Sequence, residues 1–397
     1  MGQWNEAKIG EIAEVKGGKR IPKGRKLIKE PNSHPYIRIR NLGKTKYMQL
    51  NTDYEYVDEE TQQMIARYIV NQGDILISVV GTIGLVGIVG NTLDKANQTE
   101  NCDKIINIKK VLSEYLYYYL VSSFGQDEIK KGTVGAVQPK LPLKNVKDII
   151  VKYPPIKEQK QIVEILSAID EKIELNETIN NNLEQQAQAV YYKMFSEVNG
   201  EPVELSSIID VRDGTHDSPK AQATGYYLIT SKHLLPFGVD KASANRISKA
   251  DFDKINERSL VETQDILMSM IGTIGLISYI PYEAVDFAIK NMALFKTSHT
   301  PELTYYFLCY LKSEKTLQHI EKCLAGSTQK YISLGELRKM PIYSPTTDEI
   351  REFNYLVKPM FEEIVSRTYE NALLAEMRDT LLPKLMSGEL DVSDIDL

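Results

Sequence analysis

Cysteine is scarce in this chain of 397 residues, and the three that are present are Cys102, Cys309 and Cys323. An odd number without metal-like spacing predicts free thiols in a reducing cytoplasm. The N-terminus lacks the basic and apolar regions of a signal peptide. The most apolar stretch, Ile75 to Val89, contains three glycines and is too short to cross a bilayer. We therefore predict a cytoplasmic protein, with two strands round a glycine turn in this stretch.

The motifs of several enzyme classes are also missing. There is no GxxxxGK[ST] phosphate loop, and the five histidines show no H-x-x-x-H spacing. An adenine methyltransferase would need an aromatic-flanked Asn-Pro-Pro-type loop and a glycine-rich cofactor loop, and neither is present. Glu158-Gln-Lys160 fits the acidic-x-Lys string of some nucleases, but it lies at a predicted helix start without a partnered aspartate on a preceding strand. We name no catalytic residue, metal ligand or bound cofactor in this chain.

Charge is unevenly distributed along the chain, whose formal net charge is −6. Residues 1–50 carry twelve Lys/Arg against four Asp/Glu, a net of +8, whereas residues 348–397 carry five against twelve, a net of −7. An evenly spread negative charge would argue against a nucleic-acid partner. The basic N-terminal segment instead predicts contact with a polyanion, and the acidic C-terminal segment predicts a protein partner.

The sequence contains an internal repeat with an offset of 191 residues. DILISVVGTIG at 74–84 returns as DILMSMIGTIG at 265–275, and GAVQ at 135–138 aligns with GSTQ at 326–329. Near the N-terminus the offset becomes about 196. A period this long indicates two similar domains rather than a solenoid.

A heptad pattern follows each repeat. Pro154-Pro155 precedes apolar residues in steps of four and three between Ile162 and Met194, which predicts a long helix beginning near Lys157. A second seam occurs 191 residues later, from Phe353 to Leu385. The residues expected to pair the two helices are Ile162, Ile169, Asn176, Asn180, Leu183, Met360, Ile364, Arg367, Asn371 and Leu374.

Antiparallel pairing would bring the polar interruptions of the two seams together. Asn176 would face Asn371, and Asn180 would face Arg367, while Arg378 would lie opposite the apolar Ile169. A central polar layer costs stability but fixes register and orientation, so we interpret the pair as a spacer of set length. The other interpretation is a solvated amphipathic helix that lies across a domain.

Each globular copy mixes strands with short helices. Ile75–Val80 and Ile266–Met270 read as buried strands that end in a Gly-Thr-Ile-Gly turn. Residues 113–122 and 302–312 read as helices whose tyrosines pack in the core rather than stack on bases. The predicted fold class is mixed α/β (α+β) globular domains in two copies, each followed by a long α-helix, with the two helices paired as an antiparallel coiled coil.

Polar and basic segments at matched places are the candidates for DNA contact. The first copy has KGGKRIPKGRK at 16–26, and alternation would place Arg38 and Arg40 on one face of a strand. Loops that contain a matched glutamine and a nearby lysine suit phosphate and base edges. The alternative is an ordinary solvated surface. The expected contacts are Lys19, Arg20, Arg38, Arg40, Thr82, Gln138 and Lys140 in the first copy, and Arg212, His216, Lys232, His233, Thr273, Gln329 and Lys330 in the second.

Three motifs resemble those of the specificity subunit of type I restriction–modification enzymes. They are GDILIS at 73–78 with its Gly-Thr-Ile-Gly turn, YPPIKEQKQIVEILSAIDEKIELN at 153–176, and LLPKLMSGEL at 381–390. The resemblance covers essentially the whole chain. It implies a first target-recognition domain at 1–156, a spacer helix at 157–200, a second target-recognition domain at 201–346, and a second spacer helix with a C-terminal tail at 347–397.

The resemblance also implies a function and partners. Such a subunit reads a split sequence in double-stranded DNA, one half per target-recognition domain, and its helices dock two modification subunits. Those subunits methylate adenine with S-adenosylmethionine, and restriction subunits with ATP and Mg cleave unmodified DNA. Two other functions stay open on the residues alone: a coiled-coil scaffold without a DNA role, and a nuclease or methyltransferase in its own right.

Overall fold

The structure, a computed structural model, describes residues 4–195, 201–326 and 330–392. The chain forms two compact units. Unit 1 comprises the residues up to Glu174 together with those from Ala372 onward, and unit 2 comprises Leu175–Asn371. Each unit therefore contains one of the two sequence repeats and a part of each long helix. Within the described ranges, no helix has the length and apolarity that a bilayer span requires.

Unit 1 is built around a five-stranded sheet. Its strands, in spatial order, are Glu14–Gly17, Cys102–Ile106, Ile75–Ser78, Val86–Val89 and Tyr47–Met48. The central strand Ile75–Ser78 is buried along its whole length, as expected for an apolar run covered on both faces. Smaller sheets combine Glu55–Tyr56, Pro35–Ile37 and Asn97–Gln98, and pair Asn5–Lys8 with Ile150–Tyr153. The short α-helices are Ile9–Ile12, Glu59–Ile65, Ser113–Val121, Ser123–Gly132 and Leu143–Asp148.

Unit 2 repeats the arrangement with a four-stranded sheet. Its strands, in spatial order, are Val211–Asp213, Met292–Phe295, Ile266–Ser269 and Ile277–Tyr279. Smaller sheets combine Asn245–Ile247, Tyr226–Ile229 and Phe287–Ile289, pair Leu234–Leu235 with Gly238–Val239, and pair Val203–Glu204 with Pro341–Ile342. The short α-helices are Lys249–Ser259, Thr304–Leu311, Glu314–Lys322 and Leu334–Arg338. Short 3₁₀ helices occur in both units. They lie at Ile39–Asn41, Ala66–Tyr68 and Asn91–Leu93 in unit 1, and at Leu205–Ser207, Ser231–His233, Thr297–His299 and Pro301–Leu303 in unit 2.

The tyrosine-rich helices supply core side chains, as predicted. Tyr115 and Tyr118 are fully buried in unit 1, and Tyr306 is fully buried in unit 2. Their hydroxyls still find partners: Tyr115 donates to the carbonyl of Lys152 at 2.9 Å, and Tyr306 donates to that of Tyr343 at 2.7 Å. A buried phenol with a satisfied hydroxyl stabilises the core without leaving a polar group unpaired.

Two helices of about forty residues link the repeats, at Ile156–Phe195 and Thr347–Ser387. In unit 1 the beginning of the first helix shares a core with the end of the second, through Ile162, Leu166 and Leu385. In unit 2 the end of the first helix, including Ala187, shares a core with the beginning of the second helix. The helices are therefore antiparallel, and the predicted fold class is confirmed.

A polar layer centred on Asn176 lies between the helices in unit 2. Asn176 is completely buried. Its Nδ2 donates to Asn371 Oδ1 at 2.8 Å and to Glu370 Oε2 at 2.7 Å. Its Oδ1 accepts from Arg367 Nη1 at 2.9 Å. Because both ends of the Asn176 amide are bonded in this register of the helices, the amide favours this register over shifted ones.

Several seam positions differ from their expected surroundings. Asn180 meets Thr368 at 3.5 Å rather than Arg367, because the long Arg367 side chain extends about one helical turn to Asn176. Arg378 does not rest on Ile169, since its Nη1 turns to Asp170 Oδ1 at 3.2 Å in unit 1. The other seam residues divide by burial: Ile162, Ile169 and Ile364 are buried, whereas Leu183, Leu374 and Met360 are half-buried. Phe361, adjacent to Met360, takes the deeper position.

We predict that Asn176→Ala lowers the free energy of unfolding by about 1–3 kcal/mol, because it removes a buried amide that accepts from Arg367 and donates to Asn371 and Glu370. Urea unfolding followed by circular dichroism would measure the change. Asn181→Ala removes an exposed amide from the same helix and should change stability by less than about 0.5 kcal/mol. Equal losses in the two variants would contradict a structural role for the polar layer.

Candidate nucleic-acid interface

In each copy, the loops that carry the candidate contact residues meet at the end of the central strand. In the first copy, Val79 follows the strand Ile75–Ser78, and its amide donates to Asn101 at 2.8 Å. The carbonyl of Val79 accepts from Leu141 at 2.9 Å, so a second loop arrives from the other side. In the second copy, the carbonyl of Met270 accepts from Ile332 at 3.0 Å. These are the same positions 191 residues later.

The Gly-Thr-Ile-Gly turn continues directly from this strand end. Gly81 and Gly84 adopt φ of 77° and 88°, and their counterparts Gly272 and Gly275 adopt 80° and 83°. Side chains with a Cβ rarely take such angles, which explains the two glycines. Ser78 Oγ closes the turn by donating to the carbonyl of Thr82 at 2.6 Å, and Ser269 does the same to Thr273 at 2.5 Å. Both threonine side chains are exposed.

An antiparallel bridge lies beside the turn in each copy, and in the first copy it closes a protruding hairpin. Val134 and Lys140 exchange backbone hydrogen bonds of 2.8 and 2.9 Å, and Lys140 also forms a bridge with Val80. Gln138 and Lys140 are exposed on this hairpin. The tip residue Val137 is 94% exposed, which is unusual for a β-branched apolar side chain.

The hairpin of the second copy has a different residue at the lysine position. Ala325 and Tyr331 exchange the backbone bonds there, at 2.9 Å each. The structural counterpart of Lys140 is therefore Tyr331, which is 43% exposed, and not Lys330. Lys330 is exposed at the adjacent position. Gln329 lies outside the described residues.

The segment with Arg38 and Arg40 is a turn, not the strand that alternation predicted. The strand ends at Ile37, and a 3₁₀ turn at Ile39–Asn41 follows because Asn41 Oδ1 accepts from the amide of Arg38 at 2.8 Å. The side chain of Ile39 packs on the Gly-Thr-Ile-Gly turn, since a Cβ on Gly81 would lie 3.5 Å from its Cδ1. Arg38 therefore precedes, and Arg40 lies within, a turn that touches the strand end.

The second copy has the same turn with His233 as its cap. His233 Nδ1 accepts from the amide of Thr230 at 2.9 Å, as Asn41 does for Arg38. The imidazole is only 2% exposed. His233 therefore stabilises the turn from inside, and this burial disfavours the predicted contact of its imidazole with DNA. Lys232, the counterpart of Arg40, is exposed.

The backbone of the N-terminal basic segment packs closely against the same strand end. The amide of Gly18 donates to Cys102 at 3.2 Å, and that of Gly214 donates to Met292 at 2.9 Å. A Cβ on Gly18 would lie 2.0 Å from the carbonyl oxygen of Thr99, so only glycine fits there. Two residues beyond each glycine stand the counterparts Arg20 and His216.

Neighbouring residues hold these two side chains in place. Arg20 Nε donates to Glu100 Oε1 at 2.6 Å. Burial would raise the pKa of Glu100, but the bonds from Arg20 and neighbouring groups leave it below the ordinary value. His216 lies 2.8 Å from Asn291 Oδ1 through Nδ1 and 3.0 Å from Asp213 Oδ2 through Nε2.

The remaining predicted contacts lie beside these residues. Lys19 is exposed, with its Nζ 5.6 Å from the centroid of the Tyr68 ring. Arg212 is half-buried, and its Nε and Nη2 both bond Asp210 Oδ2 at 2.7 Å. Because that pair occupies one edge of the guanidinium, Arg212 is less available than Arg20 or Lys232.

No group of His, Cys, Asp and Glu side chains suited to a metal ion occurs in the described ranges. In the nuclease-like string, the central Gln159 is buried. Its Oε1 accepts from the amide of Leu112 at 2.9 Å, and its Nε2 donates to the carbonyl of Pro154 at 2.9 Å. The middle of the string therefore anchors the start of the first long helix to the domain before it.

Comparison with known proteins decides the family. A sequence profile described as the type I restriction modification DNA specificity domain matches residues 1–185 and again residues 197–353. The two matches cover most of the chain and each contains one copy. The chain belongs to the type I restriction–modification specificity subunits.

Relatives of this specificity subunit span its whole length. It is 26% identical over 426 residues to the type I restriction enzyme MjaIX specificity subunit of Methanocaldococcus jannaschii, covering 99% of this chain and 94% of that protein. It is 22% identical to the HindI specificity subunit of Haemophilus influenzae, covering 98% and 100%. The crystal structure of the type I system S subunit from M. genitalium has the same fold, with a TM-score of 0.52, 16% identity and coverage of 97% and 96%.

Sequence reasoning missed several residues at the interface of this specificity subunit. Glu55 bonds both Arg38 and Arg40, and Asp213 bonds His216 and Arg258, the latter on the helix Lys249–Ser259. Val137 and Tyr331 place exposed apolar or aromatic groups on the hairpins. The hairpin positions had a signal, since they lie in the repeat-matched loops. The two acidic residues had none, because a lone carboxylate looks like ordinary surface in a sequence.

We predict that His233→Asn preserves the turn of the second copy, whereas His233→Ala weakens it, because asparagine already caps the same turn in the first copy. Loss of the acceptor should lower the free energy of unfolding by about 1 kcal/mol. Urea denaturation of the three proteins would measure this difference. An alanine variant as stable as the wild type would contradict the capping role.

His233→Asn should also change how the free energy of unfolding depends on pH. Burial, with a smaller effect of Lys232, lowers the pKa of His233, so the unfolded chain takes up the proton more readily. The stability from this group is thus present above the ordinary imidazole pKa of about 6.5 and is lost as the pH falls below it. The wild type should lose more stability than His233→Asn between about pH 7 and pH 5. His216→Asn, at an exposed histidine of the same unit, is the matched control.

Proposed function

We propose that this chain is the DNA-reading subunit of a type I restriction–modification complex. Each globular copy recognises one half of a split target in double-stranded DNA. One observation carries the proposal: in both copies matching backbone hydrogen bonds gather corresponding loops at a strand end, while most of the exposed side chains on those loops differ. A shared framework with different contact residues is what two readers of different half-sites require.

The contact surface of the first copy supports this function by its chemistry. Arg20, Arg38, Arg40, Thr82, Gln138 and Lys140 all lie on loops at or next to this strand end. Arginine and glutamine suit guanine and adenine edges, and lysine suits phosphate. The second copy offers His216, Lys232, Thr273 and Tyr331 at the corresponding positions. Thr82 and Gln138 recur as Thr273 and Gln329, but Arg20, Arg40 and Lys140 correspond to His216, Lys232 and Tyr331. Because these side chains differ, the two half-sites should differ.

We further propose that catalysis belongs to partner subunits in the cytoplasm. Two modification subunits bring S-adenosylmethionine for adenine methylation, and restriction subunits bring ATP and Mg for cleavage. The long helices provide the docking surface, with the paired helices as the spacer. Exposed apolar residues support docking: Leu373 and Met377, four residues apart on one helical face of unit 1, are 67% and 53% exposed.

We predict that the purified full chain binds duplex DNA with an affinity that falls steeply as salt rises. Lys140→Ala should weaken binding to all sequences alike and reduce the slope of log K against log salt by about 1, as expected for a phosphate contact. Fluorescence anisotropy at several salt concentrations would measure both quantities. Lys109→Ala, beyond the other end of the strand Cys102–Ile106, is the control of equal charge. A chain without salt-dependent duplex binding would instead be a coiled-coil scaffold.

We predict that a longer helix pair widens the gap between the half-sites. Duplicating residues 177–183 together with the facing 364–370 adds roughly 10 Å of helix, enough for up to about three base pairs. Both half-sites should stay the same because neither globular domain changes. Sequencing of the duplexes bound from a random pool reads the half-sites and the gap together. The spacer interpretation fails if a half-site changes or the gap does not.

A further inference from the structure

In the first copy, one carboxylate bonds both arginines of the 3₁₀ turn, Arg38 at its cap and Arg40 within it. Glu55 Oε2 lies 2.5 Å from Arg38 Nη1 and 3.1 Å from Arg40 Nη2. Arg40 Nη2 also donates to the carbonyl of Asp53 at 2.8 Å. The Glu55 side chain is 21% exposed, whereas those of Arg38 and Arg40 are 45% and 52% exposed. The carboxylate thus lies behind two cationic groups that face solvent.

A carboxylate of the second copy has the same relation to two basic side chains. Asp213 Oδ2 lies 3.0 Å from His216 Nε2, and Asp213 Oδ1 lies 3.0 Å from Arg258 Nη2. The Asp213 side chain is 15% exposed, and both basic side chains are 62% exposed. Glu55 and Asp213 come from different elements of their copies, so the arrangement is shared although the sequence positions are not.

Such a carboxylate acts differently on the two kinds of DNA binding. Non-specific binding depends on the number of phosphates that cations neutralise, and a fixed negative charge beside the cations opposes it. Base reading depends on the direction of the donors. A guanidinium has five N–H donors, so one bond to Glu55 fixes its direction and leaves donors for guanine O6 and N7.

We propose that Glu55 and Asp213 are positioning residues that set sequence specificity, each for its own half-site. Each carboxylate reduces attraction to any phosphate and orients its two basic side chains toward base edges. This inference rests on the proposed function, because it requires that each copy reads a half-site. It names the residues that raise the ratio of specific to non-specific binding at that same surface.

The test is Glu55→Gln, which keeps the size of the side chain and removes its charge. The released arginines should neutralise about one more phosphate, which steepens the salt slope by about 0.9 and tightens binding to motif-free duplex about five- to tenfold near 0.1 M salt. Enrichment of the preferred bases in one half-site should fall by roughly tenfold, the loss of one good bidentate contact. The other half-site should be read as before.

Three further variants separate positioning from a general effect of charge or folding. Asp213→Asn should relax only the half-site that Glu55→Gln leaves intact, and it tests the proposal independently if one variant does not fold. Glu55→Asp, which keeps the charge, should recover most of the wild-type salt slope. Glu59→Gln, an equal change of charge on an exposed helix start that bonds His34, should leave both half-sites unchanged.

The outcomes distinguish a failure of this inference from a failure of the proposed function on which it rests. If the wild type enriches no split motif from the random pool, the proposed DNA-reading function fails. If it does, but Glu55→Gln and Asp213→Asn keep the wild-type salt slope and base preferences, or relax both half-sites equally, the positioning role of these carboxylates is wrong.

Discussion

The backbone of one residue in each copy, Val79 or Met270, organises the surface from which the function follows. The carbonyl of Val79 holds the hairpin loop through Leu141, and its amide holds the loop at Asn101. Val79 follows directly on a strand that is buried along its length, so the loops are fixed to the core of the domain. Contact residues on loops can then diverge without altering the scaffold that positions them.

The two copies show how far that divergence has gone while the framework stayed alike. The glycines of the turn adopt the same positive φ angles in both, and the 3₁₀ turn keeps a side-chain cap although the capping residue changes from Asn41 to His233. Exposed positions have changed more radically, as when Lys140 corresponds to Tyr331. A lysine suits phosphate, whereas an exposed tyrosine offers an aromatic face and one hydroxyl.

Charge at this surface is balanced locally rather than simply positive. Arg20 bonds Glu100, both Arg38 and Arg40 bond Glu55, and His216 bonds Asp213. A basic segment in the sequence therefore does not translate into an equal number of free cations. The acidic partners reduce the field that attracts any polyanion, and they fix the directions of the groups that could distinguish bases.

The sequence by itself determined the repeat, the central strands with their glycine turns, the aromatic helices, and the facing of Asn176 and Asn371, because all of these follow from periodicity along the chain. Only the tertiary structure decided that Arg38 and Arg40 lie on a turn against Glu55 and that His233 is buried. Arg20 and Glu100 are eighty residues apart. The physical reason is that contacts between distant loops depend on how strands pair in space, and no local pattern encodes which loops that pairing brings together.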